Sequence, residues 1–208
     1  HACMQLNSED EGKRKYILVQ LPEQINEDDR VLYDIAAKEL KKSPTITTIA
    51  RERIRRAGKI IKKENKDKEG IEKLDIGFKA LSLLSSNYRR WNTLTAEDDE
   101  KALLKQAKLF LEKPLVDGYN EQSVIYEVLL KEGFNLNSKI KEIKKGEVVY
   151  YQATDDVKEM IITFTHKLTK DQIEGLKLPK DTTFVCFDSA LDDTTKVNIM
   201  RNLTVRTI

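Results

Sequence analysis

Cysteine is nearly absent. Cys3 and Cys186 are the only two in 208 residues, too few for a disulfide framework, so the chain reads as a reduced, cytoplasmic protein. Histidine is equally scarce. His1 and His166, with no Cys/His cluster around them, assemble neither a zinc site nor a His-centred catalytic triad. No Gly-x-Gly loop is present to bring backbone close to a phosphate or cofactor. No apolar run approaches the ~18 residues of a membrane span, and the N-terminus lacks a signal-peptide pattern. An excess of one charge is missing too. Charged residues make up 35% of the chain but leave a net charge of only +2, so any argument for a nucleic-acid partner has to be local. No catalytic residue set and no metal site can be put together from this sequence.

What is present begins with KRKYILVQLPE, Lys13 to Glu23. A short apolar run without a polar break, Tyr16-Ile17-Leu18-Val19, closed by Pro22, predicts a strand buried on both faces, the kind found in parallel sheets flanked by helices. A helix end and the polar turn Ser8–Gly12 precede it, which makes half of a βαβ unit whose first strand is missing; on this reading the chain starts within a domain. A second strand is expected over Gly77–Leu83. Between the two, a short helix is expected around Val31–Ala37 and a long one over Ile46–Asn65, with Thr45 or Thr47 as its cap.

The long helix has apolar positions Ile46, Ile49, Ala50, Ile54, Ala57, Ile60 and Ile61 at helical spacing. Arg51, Arg55, Arg56, Lys59, Lys62 and Lys63 fall on the opposite side, relieved by Glu52. That basic face is either a solvated surface or a contact for DNA phosphates or an acidic partner subunit. Arg53 projects into the apolar stripe, where an unpaired guanidinium is costly, so the pattern predicts an ion pair with Glu23 or Asp75.

Ser85–Asn92, SSNYRRWN, interleaves aromatics with arginines. Tyr88 or Trp91 would stack a base while Arg89 and Arg90 clamp phosphates, or Trp91 closes the core edge while the arginines face water. A capping-box-like Thr95-Ala-Glu-Asp opens a helix over Asp98–Glu112, and a second spans about Glu121–Lys131, stopping at Gly133. Beyond a basic stretch, Lys141–Gly146, come a hairpin of Glu147–Gln152 with Val157–Phe164 and a helix near Asp171–Leu176. A buried strand Thr183–Phe187, a helix near Thr194–Asn202 and a last strand Leu203–Ile208 follow. Asp188 reads as a cap or loop residue, Cys186 as an inert core thiol, and His166 as exposed.

Four segments carry a resemblance: HACMQLNSEDEGKRKYILVQLPE, ITTIARERIRRAGKII, DIGFKALSLLSSNYRRWN and SVIYEVLLKEGFNLNSKI. Together they resemble the modification subunit of type III restriction-modification systems, a family of β-class DNA adenine-N6 methyltransferases. In that family a Phe-x-Gly-x-Gly loop and a Thr pair sit immediately before a His-Ala-like helix. The family often has Asp before Ser-Ser-Asn, where this chain has Leu84.

The resemblance implies an α/β fold: the C-terminal part of a Rossmann-like S-adenosylmethionine-dependent methyltransferase sheet, a helical connector and a small C-terminal α/β domain. Residues 1–92 would be the tail of the cofactor-binding domain, 93–135 the connector and 136–208 the last domain. It implies S-adenosylmethionine as the parent enzyme's cofactor. The partners it implies are DNA, a second modification subunit and a restriction helicase-nuclease. The Asp/Asn/Ser-Pro-Pro-aromatic tetrapeptide that stabilises a flipped base is absent here, so the chain alone is expected not to methylate DNA. In Rossmann-like methyltransferases the second strand ends on an acidic residue that accepts from the ribose hydroxyls. By register that position is Gln20, with Glu23 the alternative. The rival reading is a non-catalytic module for subunit assembly or DNA docking.

Overall fold

In the computed structural model, which describes residues 1–92 and 100–208, the chain divides into two units, His1–Ser82 and Leu83–Ile208. The first is built on three helices: α1 (Ala2–Asp10), the short α2 (Arg30–Asp34), which runs on into a π-helical turn Ile35–Glu39, and α3 (Ile46–Glu64). Thr45 caps α3, its hydroxyl accepting from Thr48 N at 3.3 Å. Polar side chains replace ladder bonds near α1. The Asn7 side-chain amide accepts from Arg14 N (3.1 Å) and donates to Arg14 O (3.0 Å), and Lys68 donates to Ser8 O and Glu9 O at the helix C-terminus. Arg14 also grips Asp10 through two bonds and holds that carboxyl down at about 2.

Lys13–Glu23 is not the buried strand its apolar run predicts. No residue from 13 to 23 belongs to a strand, and Ile17 and Val19 are 91% and 93% exposed, with Leu18 and Leu21 also on the surface. Gly77–Leu83 likewise forms no strand. An apolar run is buried only when other elements lie along both its faces, and among the described residues no strand pairs with either segment. Each is covered on one side alone. Tyr16 is half-buried, as are Leu74, Ile76 and Phe78, alternating with exposed residues.

The expectation for Arg53 is also corrected: it is exposed and makes no ion pair among the described residues. The reason is the rotation of α3. Its buried residues are Ala57, Gly58 and Ile61, because Ile76 seats directly on Gly58, where an added Cβ would lie 2.8 Å from Ile76 Cβ. The buried stripe therefore turns toward Gly58. Arg53 and Ile60 swing out to the opposite flank, and Ile60 is exposed as well.

The second unit carries the larger core. After helices α4 (Glu100–Glu112) and α5 (Glu121–Lys131), five strands form one sheet: β1 (Lys139–Lys145), β2 (Val148–Thr154), β3 (Glu159–Ile162), β4 (Thr183–Cys186) and β5 (Thr204–Thr207). They lie in the order β1-β2-β3-β4-β5. The first three are antiparallel and the last two join in parallel, each reached through a short helix, α6 (Lys170–Glu174) and α7 (Asp193–Ile199). This is an α/β fold with a mixed sheet. Adjacent tyrosines of β2 mark its two sides: Tyr150 Oη donates to Gln172 O in α6 (3.3 Å), and Tyr151 Oη to Glu121 in α5 (2.7 Å). Val124, Leu129, Met160, Ile161, Ile162 and Phe184 fill the layers between. α5 ends as its glycine predicts: Gly133 is left-handed, with Phe134 N bonding Leu129 O and Gly133 N bonding Leu130 O.

The basic stretch Lys141–Gly146 falls largely within an edge strand, β1. Its Lys-Ile-Lys-Glu-Ile-Lys-Lys pattern buries nothing fully, because it is the sheet edge. The Thr95 capping box lies outside the described residues. Among those residues no helix is long and apolar enough to cross a membrane.

Candidate cofactor and nucleic-acid surfaces

Gln20 and Glu23 close the apolar segment of the first unit. Gln20 is exposed, and its Nε2 donates to Leu21 O at 3.2 Å, which leaves the amide oxygen open to accept a hydroxyl. At Glu23 the carboxylate is exposed, while its backbone oxygen accepts from Ile46 N at the start of α3 (3.0 Å). As a hydrogen-bond acceptor, the free amide oxygen of Gln20 has the chemistry that a ribose hydroxyl would require. The glycine-rich cradle that would surround the rest of a nucleotide is not in this sequence.

The basic side of α3 holds its cations in different ways. Arg56 Nε donates to Glu52 at 2.8 Å, and its Nη2 lies 3.6 Å from Glu39 of the π-helical turn. Arg55 lies 3.7 Å from the same Glu52 and sets its guanidinium 5.5 Å from the Phe78 ring centre. The bond from Arg56 holds the Glu52 carboxyl below the usual range, against a smaller opposing effect of burial, with Arg55 and Lys59 adding to the lowering. Lys62 donates to Glu72 O at 3.2 Å. Lys59 and Lys63 are exposed and form no ion pair among the described residues. Arg51 is half-buried.

In the second unit, Ser86–Trp91 is stitched onto neighbouring elements rather than left open. Glu127 of α5 accepts from Ser86 Oγ (2.5 Å), Asn87 N (2.9 Å) and Asn87 Nδ2 (3.1 Å). Burial pushes the Glu127 carboxyl up, and these donors together with Lys131 more than offset it, leaving it lowered. Arg89 donates through Nε to Lys113 O and pairs with Asp117, both at 2.9 Å. Lys131 Nζ lies 3.1 Å from the Tyr88 ring centre, and burial raises the Tyr88 hydroxyl to about 12. Trp91 packs against Phe110 at 5.1 Å yet stays half-exposed, and Arg90 is exposed. Of the four residues proposed to read nucleic acid here, Tyr88 and Arg89 are thus engaged internally, and Arg90 and Trp91 are accessible. Glu127 organises this stretch and carries no sequence signal, since a lone helical Glu forty residues away looks like any surface acid.

Asp188, at the end of β4, opens a short 3₁₀ turn and pairs with Lys196 of α7 at 2.7 Å. It does not cap α7; Asp192 does, accepting from Thr195 N at 2.8 Å. Cys186 is fully buried, and burial pushes its thiol up to about 12. His166 is exposed and stacks flat on Phe187 with ring centres 4.8 Å apart. At the opposite end of the parallel strands, an open cleft of about 610 Å³ is lined by Asp155, Asp156, Lys158, Lys180 and Asp181. Among the described residues no group of three or more His, Cys, Asp or Glu is placed to hold a metal ion.

These surfaces define the chain as an α/β protein with one mixed sheet and a separate helical unit. Comparison with protein families, with curated proteins and with solved structures gave no match.

Proposed function

We propose that this chain is the C-terminal portion of a type III restriction-modification DNA methyltransferase. The parent protein transfers a methyl group from S-adenosylmethionine to adenine N6 in a short DNA site. Its partners would be DNA, a second modification subunit and a restriction helicase-nuclease. The reading rests on the sequence resemblance, which implies a strand at Lys13–Glu23 buried beside a parallel neighbour, and one observation shows what such a neighbour would have to cover. Ile17–Val19 and Leu21, with Leu81 after them in the chain, expose large apolar side chains in segments that pair with no strand among the described residues. Surfaces of that composition are normally covered. In the parent enzyme the rest of a parallel sheet would cover them and would bring Gln20 to the ribose edge of the cofactor, with Glu23 beside it. The residues that flip the base and cradle the methionine end belong to sequence not in this chain.

The alternative, a non-catalytic subunit-assembly or DNA-docking module, draws on the same exposure, since an assembly surface is also left open until its partner arrives. The coding DNA immediately upstream of His1 separates the two. An in-frame Phe-x-Gly-x-Gly loop with Asp-Pro-Pro-Tyr farther upstream is expected; a stop codon or unrelated sequence there would defeat the enzyme reading. In the joined enzyme Gln20→Ala should weaken S-adenosylmethionine binding by about 1 kcal/mol, a neutral hydrogen bond's worth. Unchanged affinity in a calorimetric titration would remove Gln20 from the site.

A further inference from the structure

The row Arg51, Arg55, Lys59, Lys63 runs along α3 at steps of four residues, the spacing that aligns side chains into one ridge. Each step rises ~6 Å, and the row spans ~18 Å. Arg56 and Lys62 flank it. Over the whole helix, seven basic residues stand against two acidic ones. Only Glu52 interrupts this side, and it is engaged by both Arg55 and Arg56. A single linear row fits a linear polyanion better than it fits a protein patch. One four-residue step matches roughly two nucleotides of duplex rise at ~3.4 Å each, and the arginines add the bidentate geometry that phosphates accept.

We propose that this ridge binds the phosphate backbone of DNA and that Glu52 is its internal counter-ion, which must release Arg55 and Arg56 before both can reach phosphates. The polyanion's identity rests on the DNA-modifying reading; the ridge itself rests on charge and spacing. Lys59 and Lys63, which form no ion pair among the described residues, make the first contacts. Glu52 holds affinity down in the free chain by keeping two of the strongest cations occupied.

The test is the salt dependence of binding to a short fluorescein-labelled duplex, measured by anisotropy on the full 208-residue chain. About four phosphate contacts give a slope of roughly −3 to −4 in log K against log salt. Lys59→Ala with Lys63→Ala should flatten that slope by about 2. Glu52→Gln should tighten binding several-fold at low salt and steepen the slope. All three side chains lie outside the core, so the variants stay folded, as far-UV circular dichroism will verify. A flat slope, a double variant indistinguishable from the parent, or Glu52→Gln binding more weakly would each overturn the proposal. So would poly-glutamate competing as well as DNA at equal charge, which would make the ridge a docking site for an acidic protein. A joined enzyme that transfers methyl groups, and whose Lys59→Ala/Lys63→Ala variant keeps the parent's DNA affinity and salt slope, would reject this surface alone. A joined enzyme without methyl transfer, whose ridge still binds DNA, would reject the enzymatic reading alone.

Discussion

Tyr16 is the residue where the first unit is least satisfied. Its hydroxyl is shielded from water and has no hydrogen-bond partner among the described residues, and burial, then the nearby Cys3 and Asp75, raises it. Removing that oxygen removes a buried unmade bond and leaves the ring in place, so Tyr16→Phe should stabilise the chain by about 1 kcal/mol in urea denaturation. The contrast is Glu127, whose carboxylate satisfies three donors of a neighbouring segment. Glu127→Gln should cost about 1.5–3 kcal/mol. The pH dependence follows from the lowered carboxyl. A depressed folded value gives stability that is fully present above the ordinary carboxylate range and is lost as the pH falls through the folded value. The advantage of the parent over Glu127→Gln should therefore be full at neutral pH and disappear on acidification.

At the scale of elements, legibility followed burial. α5, α6, α7, β4 and β5 lie close to where periodicity and caps put them, because each packs on a core that rewards its pattern. β1 escaped because an edge strand with Ile140 and Ile143 half-buried on opposite faces has no alternation to read. Lys13–Glu23 failed in the other direction: its residues carry a buried strand's composition, but burial depends on neighbours that a local pattern does not specify. Arg53 failed because a small rotation of α3 toward Gly58 is decided by Ile76, twenty-three residues on. At the candidate site, Gln20, Arg55, Arg56, Lys59 and Lys63 lie on the surface, whereas the internal engagement of Tyr88 and Arg89 depends on Lys131, Asp117 and the Lys113 carbonyl, which no local pattern announces. The lysines of β1 have an element-scale role of their own. Lys139, Lys141 and Lys144 are exposed along the edge strand and repel a second sheet, while Lys145 donates to Gly175 O at 2.7 Å. Lys141→Val with Lys144→Val should leave the monomer folded and produce concentration-dependent association, read by light scattering.

For the whole molecule, stability is unevenly shared. The buried apolar residues of the first unit are Met4, Ile25, Ala36, Ala57 and Ile61, whereas the second unit has one contiguous cluster from Leu115 to Ile208. Local opening should therefore begin in the first unit. Limited proteolysis of the native chain is expected to cut first within 13–23 and 74–82, while hydrogen exchange leaves the amides of β2, β3 and β4 the best protected; early cleavage within β2–β4 would contradict this. The strand order of the sheet has a consequence for synthesis. Every strand lies beside the one made just before it, so no pairing has to wait for a distant part of the chain, and the average sequence separation of contacts stays low for a β-containing unit. As the polypeptide leaves the ribosome, the sheet can therefore grow by adding one strand at a time to an existing edge, with β1 and β2 as the template and β5 completing it last.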